Sequence, residues 1–149
     1  MKTLKEFLKK HEACSDGYMF AKDLTLEEFL KTCHRGDWIL WLFVRSNPRN
    51  KKLRVLVAAH CANTVRHLMK DDRSLNAVDI AIKYGKGQAT KSQLNAAYDA
   101  AYYADADAYY AAAAYAAANA AYAANAATRR KTLKKCANIV REFYPNYKF

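Results

Sequence analysis

No stretch of this chain alternates apolar and polar residues with period two, so β-strands are not expected. No Cys-x-x-Cys pair occurs, and the four cysteines, Cys14, Cys33, Cys61 and Cys136, lie far apart. That spacing points to free, mostly buried thiols in a reducing compartment. Leu4, Phe7 and Leu8 stand among charges and form no continuous apolar core, so no secretion signal is expected and a bacterial cytoplasmic location is. Outside the block from Ala96 to Ala127, no run approaches the roughly 18–20 apolar residues that span a membrane. Within that block Ala is too weakly apolar, and Asp and Asn too frequent, for lipid, so no membrane partner is expected. A Gly-rich phosphate loop, a helix-turn-helix pattern and an RNA-binding aromatic motif are all missing.

The same block lacks Gly, Pro, Lys and Arg and uses four residue types: twenty Ala, seven Tyr, three Asp and two Asn. Ala is the strongest helix former, so the block reads as helix. It carries −3 and the remainder +14, a near-neutral element inside a protein of net charge +11. At about 100° per residue Tyr98, Tyr102 and Tyr109 share one stripe, Tyr103 and Tyr110 a second, Tyr115 and Tyr122 a third. Aromatics on several sides predict a central helix with Ala faces against its neighbours. A straight helix from Thr90 to Ala127 would run about 57 Å, against a radius of gyration of about 15 Å for a globule of this length. The block therefore breaks or projects, and Asp105-Ala106-Asp107 is the expected break. An ice-binding rod is excluded because the block contains no Thr.

The rest of the chain reads as further helices. Leu4, Phe7 and Leu8 make one amphipathic face. Ser15-Asp16-Gly17 is a restart that carries Tyr18 and Phe20 toward the core. Thr25 with Glu28, and Thr90 with Gln93, are capping boxes. Gly36 is expected to stop one helix and Asp37 to cap the next, Trp38 to about Arg45, which is apolar all round and belongs at the centre. A helix of about five turns follows, from Leu53 to Leu68. Another begins after Asp71-Asp72 and stops at Gly85, with Gly85-Lys86-Gly87 as a flexible connector. Leu133, Cys136, Ile139, Val140 and Phe143 form a last stripe, ended at Pro145. The expectation is an all-α, compact multi-helix bundle: one domain over 1–149, with the Ala/Tyr segment at 90–127 and a basic C-terminal helix at 128–144.

The chemistry-bearing residues are sparse. His11 with Cys14, Cys33 with His34 and His60 with Cys61 lie close in sequence, but zinc needs four such groups converging, and helix neighbours in sequence do not face each other. No nucleophile, base and oxyanion set is visible, so no enzyme and no cofactor are expected. Arg35-Gly36-Asp37 reads as a helix boundary and not as an adhesion tripeptide. The functional lead is cationic. Arg45, Arg49, Lys51, Lys52 and Arg54 surround Pro48. Arg66, His67, Lys70 and Arg73 lie near a helix end. Arg129, Arg130, Lys131, Lys134, Lys135 and Arg141 crowd the final helix. Two such clusters meeting would form an anion site, because guanidinium forks hold phosphate or carboxylate.

Ala13-Cys14, the string Arg35-Gly36-Asp37-Trp38-Ile39-Leu40-Trp41-Leu42, Ala58-Ala59-His60-Cys61-Ala62 and the Ala/Tyr tract together carry a resemblance. From about Leu4 to Phe143 the chain resembles small helical proteins of bacteria and phages grouped with the immunity proteins of polymorphic toxin systems. The resemblance implies an all-α, non-enzymatic protein that binds and neutralises another molecule, as a toxin-immunity protein or a phage counter-defence inhibitor of, for example, a nuclease complex. The expected partner is an acidic protein or a nucleoprotein. A sponge for an anionic nucleotide, caged by Arg and Tyr, and a nucleic-acid-binding module are the alternatives.

Overall fold

A computed structural model of the chain describes residues 3–64, 66–110 and 126–143. Among these residues the fold is all-α: eight α-helices, one 3-10 turn and no strand. In chain order they are α1 (Leu4–Lys10), α2 (Ser15–Ala21), α3 (Leu26–Thr32), α4 (Gly36–Ser46), α5 (Lys51–Asn63), the 3-10 turn Arg66–Leu68, α6 (Asp72–Gly85), α7 (Lys91–Tyr110) and α8 (Ala126–Glu142).

Local chemistry starts most of them. The Thr25 hydroxyl accepts from the Glu28 amide at 3.2 Å, while the Glu28 carboxylate accepts from the Thr25 amide at 2.8 Å. Thr3 with Glu6 opens α1 in the same reciprocal way, and Thr90 with Gln93 opens α7. Two of the first-turn amides of each helix are thereby satisfied. Asn50 caps α5 and Asp71 caps α6.

The core gathers Leu4, Phe7 and Leu8 of α1, Phe29 of α3, Ile39, Leu42 and Phe43 of α4, Val57 and Cys61 of α5, and Cys136, Ala137 and Val140 of α8. Helix α4 lies against α8 and touches α5. Helices α5, α6 and α7 then pack in series. Gly36 does not stop a helix. It is the first residue of α4, with Arg35 at the N-cap position making no side-chain capping bond, while α3 has already ended at Thr32. A Cβ on Gly36 would collide with the Leu133 carbonyl oxygen and stand 2.6 Å from Cys136 Cβ, so this glycine lets α4 start flush on α8. Asp37 lies in the first turn and is not the cap.

Four further expectations change. Helix α7 is continuous through Asp105 and Asp107 to Tyr110, with no break there. Its described side chains do not form a mast: Ala97 is buried, but Tyr98 and Tyr102 are 68% and 64% exposed, because α7 packs chiefly on α6 and leaves that stripe to water. The side chains of the expected Tyr103/Tyr110 stripe and of Tyr109, together with Tyr115, Tyr122 and Pro145, lie outside the described residues. The five-turn helix ends at Asn63, since Thr64 caps it and a 3-10 turn follows. Phe20 is exposed, its ring edge-on to Phe29 at 6.1 Å. No described helix is long and apolar enough to cross a membrane.

Candidate functional site

Charge is distributed unevenly between structural and available groups. Arg66 holds Asp79 through two bonds of 2.5 and 2.8 Å, and Arg73 holds Asp71 at 2.9 and 3.0 Å. Each guanidinium, hydrogen-bonding first and by charge second, keeps its carboxylate below the usual carboxylate range. These two arginines, both expected to bind a partner, are thus engaged by acids of the chain itself. Arg141 is structural as well. It donates to the carbonyl oxygens of Leu30 and Cys33 and so ties α8 to the end of α3. Arg129, Arg130, Lys131, Lys134 and Lys135 are exposed along α8, and Arg49, Lys51 and Lys52 are exposed where α4 turns into α5.

Arg45 and Arg54 are different. They share one groove of about 680 Å³, with His11, Asp37, Leu40, Trp41, Val44 and Pro48 as its other walls. The groove exists because α4 is apolar on two faces that are covered unequally: Leu40 and Trp41 pack against the edge of the core but stay partly open. Gly36, Ile39, Leu42 and Phe43 are buried, whereas Leu40, Trp41 and Val44 are half-exposed. Asp37, Leu40, Trp41, Val44 and Arg45 follow the i, i+3, i+4, i+7, i+8 spacing of a single helix stripe. The acid therefore stands at one end, the indole in the middle and the guanidinium at the other, about 12 Å apart along the axis at 1.5 Å per residue.

Each end has its own electrostatics. At the acidic end Arg35 forks onto Asp37, Nε to Oδ1 at 2.9 Å and a terminal nitrogen to Oδ2 at 2.6 Å. That bond holds the Asp37 carboxyl below its ordinary range despite partial burial. Arg35 also lies 4.3 Å over the Trp38 ring. At the basic end Arg45 stands 5.9 Å from the Trp41 ring, with no carboxylate partner among the described residues. Arg54, from the first turn of α5, has its Nε buried without a hydrogen-bond partner among the described residues. A buried donor left unpaired costs about 1–3 kcal/mol.

A second cavity of about 490 Å³ adjoins the groove and shares Asp37 and Trp41 with it. Cys14, Gly17, Phe29 and Trp38 are among its walls. Both cavities border the tight end of α1. There the Ala13 amide bonds the Leu8 carbonyl (3.0 Å) and the Glu12 amide that of Lys9 (3.2 Å), with Glu12 at φ 54°. This closing motif ordinarily takes Gly at the left-handed position.

The thiols fall into two environments. Cys14 is exposed, whereas Cys33, Cys61 and Cys136 are buried. Between α5 and α8, the Cys136 thiol lies 3.7 Å from the Cys61 carbonyl oxygen and Cys61 returns the contact at 3.9 Å. Hydrogen bonding to Cys136, followed by burial, pushes the Cys61 thiol up. Among the described residues no group of three His, Cys, Asp or Glu is placed to hold a metal ion.

The sequence thus supplied the groove's cations, Arg45 and Arg54, but assigned Asp37 to a cap, and it placed Trp41 at the centre, where it does pack against the core, without showing that it also lines the groove. The available signal was the stripe itself, which begins with an acid and ends with a base. Set against models of protein families, curated proteins and solved structures, the chain matches none.

Proposed function

We propose that this protein is a non-enzymatic binding protein that neutralises an acidic macromolecular partner, in the manner of a toxin-immunity or counter-defence inhibitor acting in the bacterial cytoplasm. The observation that carries the reading is the α4–α5 corner. Trp41 and Arg45 line a groove beside exposed Arg49, Lys51 and Lys52, and none of these cations is ion-paired among the described residues. Tryptophan and arginine are the residues that most often dominate binding energy at protein interfaces, and unpaired cations steer acidic partners to them. The cations of α8, Arg129, Arg130, Lys131, Lys134 and Lys135, are exposed as well and do not line the groove.

The test is affinity capture from the native host at low and high salt, with wild-type protein and an Arg45→Glu/Lys51→Glu/Lys52→Glu variant of unchanged melting temperature. The expected result is an acidic partner retained by the wild type, released by salt and lost by the variant. Equal retention by both proteins overturns this reading of the corner. Capture of RNA or DNA alone moves the assignment to nucleic-acid binding. The second reading, sequestration of an anionic nucleotide, is favoured by one observation, the unpaired Arg54 Nε beside an aromatic wall.

A further inference from the structure

We propose that the groove along the exposed face of α4 is a nucleoside-phosphate site, with Trp41 stacking the base, Arg45 and Arg54 binding the phosphate, and Asp37 accepting from the base edge. This does not rest on the neutralisation of a macromolecular partner, because a protein with such a site can act on a free nucleotide.

The chemistry of the walls selects the ligand. One end offers two guanidiniums, one of them with a buried Nε that lacks a partner. Planar forks of this kind match phosphate oxygens. The middle offers a half-exposed indole flanked by Leu40, Val44 and Pro48, which is a flat apolar platform for an aromatic ring. The other end offers an ionised carboxylate. Each Asp37 oxygen accepts one bond from Arg35, the Asp37 and Trp38 backbone amides support the same carboxylate, and Asp37 lines the groove, so a base N–H would share these oxygens with them. A ligand that satisfies all three is anionic at one end, aromatic between, and a hydrogen-bond donor at the other.

Spacing removes the nearest competitors. The acid and Arg45 are about 12 Å apart along the helix. A free aromatic amino acid carries its ammonium and carboxylate on one carbon and cannot reach both ends. Inorganic phosphate or a simple dicarboxylate leaves the indole uncovered. A nucleotide separates the base amino group from the phosphate by the length of a sugar, and the groove, at about 680 Å³, lies within the range of small-molecule sites. The same chemistry is presented by a free mononucleotide and by the phosphorylated end of a nucleic-acid strand.

Isothermal titration of the full chain with AMP and GMP, alongside adenosine, guanosine and inorganic phosphate, tests this, with tryptophan fluorescence as a second readout. The expected result is saturable binding of a mononucleotide, at least tenfold weaker binding of the matching nucleoside and of phosphate alone, and quenching that is reduced in Trp41→Phe. Arg45→Gln is expected to weaken binding about tenfold with the melting temperature unchanged. Arg54→Gln should weaken it at least as much. Asp37→Asn should lower affinity for the nucleotide and leave that for inorganic phosphate untouched. A 5′-phosphorylated trinucleotide that binds more tightly than the mononucleotide identifies a strand end as the natural source, and weaker binding identifies the free nucleotide. No heat and no quenching with either nucleotide at millimolar concentration overturns the proposal. So does wild-type affinity in Arg45→Gln, or phosphate binding as tightly as AMP.

Discussion

The two faces of α4 are built from the same kind of residue and have opposite fates. Ile39, Leu42 and Phe43 are at most 1% exposed, sealed by α8, α5 and the N-terminal helices. Leu40, Trp41 and Val44, one step round the helix, border a groove whose ends are charged. Hydrophobicity alone does not separate them, since the larger aromatic, Trp41, is on the open side. What separates them is whether another element of the chain arrives. An apolar face that the fold leaves partly open, bracketed by an acid and two bases, is organised for something outside the fold.

Three measurements would break or sharpen that contrast, beyond the binding experiments above. The largest effect is expected from Phe43→Ala, which removes a fully buried ring and should lower unfolding free energy by about 3–5 kcal/mol in denaturant titration. Trp41→Phe should cost under about 1.5 kcal/mol, because it keeps an aromatic ring at a partly open site and the atoms it removes leave no sealed cavity. If the two substitutions prove equally damaging, the outer face is core and the groove is not a site.

The next effect concerns acid. The carboxyls of Asp37, Asp71 and Asp79 are all held below the ordinary carboxylate range by neighbouring guanidiniums. A depressed folded-state pKa contributes stability that is present above the unfolded value, about 3.9, and is lost as pH falls through the lower folded value. The melting temperature should therefore hold from neutral pH to about pH 5 and decline below about pH 4. The Asp71→Asn/Asp79→Asn double variant should show a shallower decline. All three pairs are substantially solvent-exposed, which keeps the effect modest. An acid profile unchanged in the double variant would show that these pairs do not differ energetically from the free cations of the groove.

The smallest effect is expected at Glu12, the non-glycine residue in left-handed conformation that ends α1 and borders the cavity next to the groove. Glu12→Gly should stabilise the protein by about 1 kcal/mol through relief of that conformation. A loss of stability instead would mean that the Glu12 side chain contributes to the groove side more than its backbone costs. Its counterpart at the end of α6 already has Gly, Gly87 at φ 78°, so the two helix ends form an internal control.

What could be read from the sequence was what depends on near neighbours. Thr25 with Glu28 and Thr90 with Gln93 each cap a helix through bonds spanning three residues, and their sequence signatures located the helix starts, whereas Asp71, read as closing the preceding helix, caps the next one. The stripes of α1 and α8 were equally plain. Gly36 was misread because its role is set by Leu133 and Cys136, about a hundred positions away. The same holds for the groove. The cations were visible, but that Arg66 is occupied by Asp79 while Arg45 and Arg54 have no carboxylate partner among the described residues depends on how elements meet; the Arg73–Asp71 pair, two residues apart, is local. The Ala/Tyr helix misled for a related reason: its stripes showed where aromatics point, not which neighbours would be there to receive them.

Because α4 finds its main cover in α8, the tryptophan-bearing segment leaves the ribosome long before its lid has been made. Until α8 has emerged, with Arg141 fastening back to Leu30 and Cys33, the nascent chain shows the part of that surface that α5 and the N-terminal helices leave uncovered. For a protein composed of helices, whose contacts are usually local, such a late closure predicts slow maturation and a dependence on holding chaperones.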